Sequence, residues 1–283
     1  MAEILSGKPV ASAINEKASK LCATLKENGI TPVLAIIRVG EKPDDITYEN
    51  SATRAIGKVG AEVKKITLPE DIDNDSFLAA VRDAAFDPEI SGILLLRPLP
   101  KGLDEKAALT LIPPAKDVDG CSSGSFAGVY SGSGEGFLPC TAQAVTEILD
   151  YYDIDCTGKR ATVLGRSLVI GKPAAMLLLE KNATVTVCHS RTRDMASITS
   201  ASDILVTAMG RPLSVGADHL APNQVVIDVS ICVNPETGKL CGDLKQDEAA
   251  EIVGAYTPVP GGVGTVTSSI LALHVVQAAA QSR

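Results

Sequence analysis

Apolar positions along this chain follow two spacings in turn. Between 8 and 28 they fall at Val10, Ile14, Ala18, Leu21 and Leu25, one face of a helix that Asn28-Gly29 would stop. The run PVLAIIRV, Pro32 to Val39, is short, unbroken and β-rich, as a buried strand would be. The alternation continues with a helix over 44–59, a strand over Ala61–Leu68, a helix over 74–86 and a strand over Ile90–Leu96. That last run meets Arg97-Pro98-Leu99-Pro100, which cannot continue inside a sheet. Strands alternating with helices predict a mainly parallel sheet covered by helices.

Residues 113–140 break the pattern. They are rich in Gly, Ser and Pro, hold Lys116-Asp117-Val118-Asp119-Gly120, and end in GSGEGFLPC. They read as one long loop, of the kind that is functional or passes between domains. A helix over 141–151 opens a second series: strand Arg160–Leu164, helix 171–181, then strands Thr184–Cys188, Asp203–Thr207 and Gln224–Val229. A closing helix over about 265–280 is apolar on a broad face and long enough to pack back on the first half. The expected fold is therefore α/β in two domains, 1–140 with the closing helix (about 265–283) and 141–264.

Composition narrows the function. With 283 residues, 45% apolar and 21% charged, the chain can fill two cores, so disorder and collagen-like repeats do not fit. A net charge of −8 without a basic block argues against wrapping a nucleic-acid backbone. Small anions stay possible, held by a few cations and helix N-termini. Five Tyr, four Phe and no Trp make stacking platforms and aromatic cages poor candidates. No run approaches 18 apolar residues and the N-terminus lacks the order of a signal peptide, so a cytoplasmic protein with no membrane partner is expected. Seven scattered Cys without a C-x-x-C pair suit reduced thiols, and three dispersed His (His189, His219, His274) argue against a metal.

The second half carries a phosphate-binding signal. Gly165-Arg166-Ser167-Leu168-Val169-Ile170-Gly171-Lys172-Pro173 follows the strand ATVL and opens a helix, where a dinucleotide fold places its glycine-rich turn. It is not G-x-G-x-x-G, and a plain strand-to-helix turn is the bland alternative. The next strand, TVTVC, runs into His189-Ser190-Arg191-Thr192-Arg193, with no Asp or Glu between Lys181 and Arg193. An acid there would accept ribose hydroxyls; Ser190 with Arg166, and Arg191 or Arg193, instead suits a 2′-phosphate. NADP is favoured over NAD, a solvated basic loop being the alternative. His189 is expected to order its loop, and His219 and His274 to be surface or packing residues.

Lys116-Asp117-Val118-Asp119-Gly120, Pro139-Cys140-Thr141, the Gly165–Pro173 segment and Thr257-Pro258-Val259-Pro260-Gly261-Gly262-Val263-Gly264, taken together, resemble the methylenetetrahydrofolate dehydrogenase/cyclohydrolase (FolD) family. Val39-Gly40 ahead of Tyr48, and Pro98-Leu99-Pro100 after a buried strand, add to the likeness, which runs in order through nearly the whole chain. The resemblance implies an N-terminal α/β folate-binding domain, a C-terminal Rossmann-like NADP-binding domain, a cleft between them and a homodimer. It implies oxidation of 5,10-methylenetetrahydrofolate to the methenyl form, followed in most members by hydrolysis to 10-formyltetrahydrofolate. Tyr48 and Asp119 match the family's cleft tyrosine and pterin-binding carboxylate, and are the implied catalytic pair. With Leu96, Arg97, Pro98, Gly262 and Val263 they make up the implied substrate contacts. Gly165, Arg166, Ser167, Ser190, Arg191, Ile231, Gly264 and Thr265 are the implied cofactor contacts.

The chain also departs from the family pattern. Bifunctional members carry a Lys four residues after the tyrosine and a Gln two residues before Pro-Leu-Pro; here those positions are Ala52 and Leu96, and the Pro after Gly-Gly-Val-Gly is Thr265. On a helix, position 52 lies on the face of Tyr48 while Arg54 points away, and a guanidinium cannot shuttle a proton. Hydrolysis needs a proton relay; hydride transfer does not. The expected activity is a dehydrogenase with weak or absent cyclohydrolase. Rivals are a bifunctional enzyme relaying protons through Lys58 or Lys8, a silent folate- or NADP-binding protein, and an unrelated Rossmann dehydrogenase. Arg97 reads equally as a ligand contact or a surface residue.

Overall fold

The computed structural model describes residues 2–281. Its helices are α1 (Gly7–Glu27), α2 (Pro43–Lys58), α3 (Asn74–Phe86), α4 (Glu105–Leu111), α5 (Ser123–Ser131), α6 (Cys140–Tyr151), α7 (Gly171–Glu180), α8 (Met195–Ser200), α9 (Gln246–Ile252) and α10 (Val263–Gln281). Its strands are β1 (Glu3–Ile4), β2 (Val33–Val39), β3 (Glu62–Leu68), β4 (Gly92–Leu95), β5 (Arg160–Leu164) and β6 (Thr184–Cys188), followed by β7 (Ile204–Thr207), β8 (Val225–Asp228), β9 (Cys232–Val233), β10 (Leu240–Cys241) and β11 (Ala255–Tyr256). One unit combines Ser12–Cys140 with the residues from Ser268 onward; the other combines the residues up to Ala11 with Thr141–Thr267.

In the first unit a three-stranded parallel sheet runs β3-β2-β4. Its middle strand is buried along almost all its length, which is why PVLAIIRV shows no alternation. The edge strand β3 alternates and carries Lys64 and Lys65, charges that blunt an open edge. Helix α3 starts where the Asp73 carboxylate accepts from the Ser76 N–H at 2.9 Å. Its Phe77, Val81, Ala84 and Ala85 form one stripe, buried against Ala35, Ile37, Ile93 and Leu95 of the sheet. Full burial of Phe77 alone contributes about 1.5–3 kcal/mol.

One expectation changes here. The glycine- and serine-rich stretch 113–140 is not one loop: Ser122 caps α5 through the Ser125 N–H at 3.3 Å, and Asp117 fixes the approach. That carboxylate accepts from the N–H groups of Cys121 (3.0 Å) and Ser122 (2.6 Å) and from the Ser125 hydroxyl (2.6 Å). Composition hid a helix held by side-chain caps rather than by propensity. Helix α10 is long and apolar enough by length and composition to cross a membrane, although Ser268, Ser269 and His274 break its apolar run, in keeping with the sequence count. Its residues Ile270 to Leu273, Val275 and Val276 are buried, as in a core helix. The His274 Nδ1 lies 2.9 Å from the Val118 carbonyl, tying α10 to this unit.

The second unit holds a six-stranded sheet, all parallel, in the order β1-β11-β8-β7-β5-β6. From β5 the chain steps outward to β6, then crosses back to β7 on the other side of β5. That reversal is the switch point at which open α/β sheets bind ligands, beyond the carboxyl ends of their strands. The N-terminal residues lie in this sheet: β1 pairs with β11, Glu3 opposite Ala255 and Ile4 opposite Tyr256. Two-residue strands carry no period, so the sequence reading of 1–140 as a single block missed this pairing.

Candidate active site

In the first unit, α2 presents Tyr48, β4 delivers Arg97 and Pro98 through a cis Arg97-Pro98 peptide, and the loop after Lys116 brings in Asp119. Arg97 Nη2 donates to the Cys121 sulfur at 2.9 Å and lies 3.8 Å from Asp119 Oδ2; Nη1 reaches Glu105 at 3.3 Å. The Cys121 thiol in turn donates to Asp119 Oδ2 at 3.0 Å. Tyr48, 41% exposed, is close enough to feel Asp119, Cys140, Cys121 and Arg97. Tyr48, Arg97 and Asp119 are thus gathered into one cluster, and Arg97 is engaged there rather than solvated at the surface.

The protonation states in this cluster follow from burial. Desolvation, reinforced by Asp119, pushes the Tyr48 phenol well above its ordinary range, so it stays un-ionised and suits stacking or donation. Desolvation likewise raises the Cys121 and Cys140 thiols. It lowers His274 to about 4, leaving a neutral imidazole between Val118, Cys140 and the Phe137 ring. Burial also raises Asp119, against the lowering pull of the Cys121 thiol and the Arg97 charge.

One turn beyond Tyr48, Ala52 is 2% exposed and apolar. Leu96, at the end of the β4 run, is 5% exposed, its backbone N–H given to Ile37. Two amines of this unit, Lys65 and Lys116, are engaged elsewhere. Lys65 pairs with Glu49 at 2.8 Å, and Glu49 also takes Arg38 at 2.9 Å. Burial pushes Glu49 up, but these two cations outweigh it and hold its carboxyl below the usual range. Lys116 donates to the Asp87 carbonyl at 2.7 Å, Lys58 is exposed at the end of α2, and Lys8 belongs to the other unit. Lys42, which sequence reasoning did not single out, reaches the Pro98 carbonyl at 3.2 Å.

In the second unit the turn after β5 is built for close approach. Gly165 has φ +123°, and a Cβ there would sit 2.3 Å from the Ala208 carbonyl oxygen across the switch point; a Cβ on Gly171 would sit equally close to the Gly165 oxygen. Ser167 caps α7, accepting from the N–H groups of Ile170 (3.1 Å) and Gly171 (3.3 Å). Arg166, Ser190 and Arg191 are exposed at the carboxyl ends of β5 and β6, which are in register, Leu164 opposite Cys188. A positive helix end, a glycine cradle and two cations fit a dinucleotide phosphate. His189 accepts from the Arg191 N–H at 3.1 Å and orders that loop as expected. Ile231, 62% exposed, lies over Gly264, where a Cβ would meet its Cδ1 at 2.8 Å. Gly262 and Val263 are buried at the start of α10, and Thr265 is exposed beside them, so they lie in this unit with the cofactor-side residues.

Sequence reasoning also missed a buried acidic pair that braces the loops after β7 and β8. Asp243 accepts from the N–H groups of Met209 (2.7 Å) and Arg211 (2.6 Å) and from the Ser230 hydroxyl (2.7 Å). Asp228 accepts from Thr207 (2.8 Å) and the Leu244 N–H (2.9 Å), and burial raises it to about 6. A cavity of about 530 Å³ lined by Lys159, Arg160, Asp203 and Gln224 lies at the opposite, amino ends of the strands.

Comparison with known proteins agrees with both halves. Residues 5–119 match the tetrahydrofolate dehydrogenase/cyclohydrolase catalytic domain, and residues 139–283 match the NAD(P)-binding domain of the same enzymes. The bifunctional protein FolD of Carboxydothermus hydrogenoformans is 50% identical over 98% of this chain and 97% of its own. FolD of Clostridium botulinum is 46% identical over 99% of each. Among solved structures, the bifunctional FolD of Campylobacter jejuni superposes with a TM-score of 0.96 at 34% identity, over 99% of both chains. The Trypanosoma brucei enzyme, solved with NADP cofactor and an inhibitor, gives 0.92 at 34% identity over 99% and 98%. The chain belongs to the tetrahydrofolate dehydrogenase/cyclohydrolase (FolD) family, with an N-terminal catalytic domain and a C-terminal Rossmann-like NAD(P)-binding domain.

Proposed function

We propose that this FolD-family protein oxidises 5,10-methylenetetrahydrofolate to the 5,10-methenyl form with NADP and hydrolyses the product weakly or not at all. The observation that carries the split is the pair of buried apolar residues, Ala52 and Leu96, beside Tyr48 and Arg97. Hydride leaves a carbon flanked by two nitrogens, and the resulting cation is delocalised. No strong base is needed, so the residues' work is mainly orientation. Tyr48 stacks on the folate and Asp119 accepts from its pterin, with Leu96, Arg97, Pro98, Gly262 and Val263 lining the substrate. NADP, when bound, supplies the hydride acceptor. Gly165, Arg166, Ser167, Ser190, Arg191, Ile231, Gly264 and Thr265 hold it, and the lack of an acid after β6 favours the phosphorylated ribose.

Hydrolysis is different in kind. Water must lose a proton and a ring nitrogen must gain one, steps that a positioned acid–base group accelerates about 10²–10⁴-fold. Here position 52 carries a methyl group, and the groups gathered around Asp119 are two un-ionised thiols and a permanently charged guanidinium, none of them a titratable amine. The relatives named bifunctional support the alternative reading, and Lys42 beside the Pro98 carbonyl is the one observation that gives it a relay. We read the protein as a cytoplasmic homodimer: seven free thiols suit a reducing compartment, and the dimer is the family expectation.

The test is to add purified protein to chemically prepared methenyltetrahydrofolate and follow its loss against a protein-free blank. A rate equal to the blank is expected. Hydrolysis well above it, abolished by Lys42→Ala, would establish the bifunctional reading.

A further inference from the structure

Cys121 has no part in the function just described and Arg97 has only a place in the substrate lining, yet both are locked onto Asp119. The guanidinium donates to the thiol sulfur at 2.9 Å, and the thiol donates to Asp119 Oδ2 at 3.0 Å. We propose that Arg97, acting through Cys121, is a positioning residue that keeps Asp119 ionised and oriented as the acceptor for the amino and ring N–H groups of a pterin. This rests on the folate reading given above.

The argument begins with polarity. A carboxylate accepts hydrogen bonds at both oxygens, whereas a carboxylic acid presents an O–H toward groups that are themselves donors. Asp119 sits where burial favours the acid form. The groups facing it are Tyr48 from α2, Cys140 at the start of α6, Asp117 and Cys121 in its own loop, and Arg97 after β4, with Glu105 of α4 behind the guanidinium. Asp117 adds like charge, and Tyr48 and the thiols are neutral. His274 of α10 bonds the neighbouring Val118 carbonyl and is neutral as well. Arg97 therefore brings the formal positive charge to this cluster.

The geometry also explains why the cation does not close off the carboxylate. Glu105 holds the guanidinium from its far side at 3.3 Å, and the thiol takes the short contact, so Arg97 stays 3.8 Å from Asp119. A direct bidentate ion pair would occupy both oxygens that a ligand needs. The thiol transmits the charge through one oxygen and fixes the carboxylate's rotation.

The experiment measures binding of 5-formyltetrahydrofolate, a stable folate that needs no turnover, by calorimetry from pH 5.5 to 8.5. Wild type is compared with Arg97→Leu, Arg97→Lys, Cys121→Ser and Cys121→Ala, with NADP binding measured alongside. Protonation of Asp119 should weaken folate binding as pH falls. In Arg97→Leu that acid limb moves up by about one pH unit, so binding is about tenfold weaker below it and converges with wild type at high pH. Arg97→Lys restores most of the loss, Cys121→Ala shifts the limb less in the same direction, Cys121→Ser leaves it in place, and NADP binding is unchanged. A limb unmoved in Arg97→Leu, or a loss equal at every pH, overturns the proposal. A wild type that binds NADP but no folate removes the folate reading, and this inference with it.

Discussion

On the function proposed here, it is a methyl group at position 52 that separates the two reactions. Ala52 faces inward from α2 with 2% of its surface exposed, one turn past Tyr48, and Leu96 adds a second apolar side chain. Putting a lysine at 52 alone adds bulk to a closed site at a cost of about 1–3 kcal/mol and gives the amine no partner. Ala52→Lys should therefore gain little hydrolysis. The double variant Ala52→Lys, Leu96→Gln should gain at least tenfold over Ala52→Lys in loss of methenyltetrahydrofolate. Asp228 makes a different prediction. Its pKa, raised by burial to about 6, means that the folded protein keeps a proton between about pH 4 and 6 that the unfolded chain has lost. Its contribution to stability is thus present below pH 4 and falls as pH rises to 6, by about 3 kcal/mol. Urea unfolding across that window should show wild type losing stability relative to Asp228→Asn, with a constant gap above it. At this scale the sequence exposed Tyr48, Asp119 and the two departures, because each sits at a motif position. It hid Cys121 and Lys42, whose roles come from contacts 24 and 56 residues away in the chain.

Elements were legible where a period could run. Helix α3 and strand β2 each bury an uninterrupted pattern, and both fall where the apolar spacing puts them. Strands β1 and β11 are two residues long and exist only because their backbones complete a sheet assembled from distant parts of the chain. Helix α5 is hidden for a different reason: Gly124, Gly128 and three serines lower its propensity, while Ser122 and Asp117 set its start. The turn between β5 and α7 is the element whose function is most exposed to one substitution. Gly165→Ala would drive a methyl to 2.3 Å from the Ala208 oxygen at a φ that alanine resists. The expected result is loss of NADP binding by calorimetry with folate binding retained; unchanged NADP affinity would show that the turn does not cradle the cofactor.

At the scale of the whole molecule, the order of elements predicted two α/β units, and the motif order tied them to one family. What the linear reading could not give was the path of the chain ends, since residues 2–11 complete the sheet of the C-terminal half and α10 leaves it to become core in the other. Both units matter to the central claim, because one holds the cluster around Tyr48 and Asp119 and the other the turn at Gly165. That claim is tested most directly by mixing the purified protein with methylenetetrahydrofolate and NADP and recording reduced cofactor and methenyltetrahydrofolate absorbance together. The two signals should rise in equal amounts, with the methenyl product then decaying only at the rate of the protein-free solution. Reduced cofactor accumulating while the methenyl signal stays near zero would contradict the account.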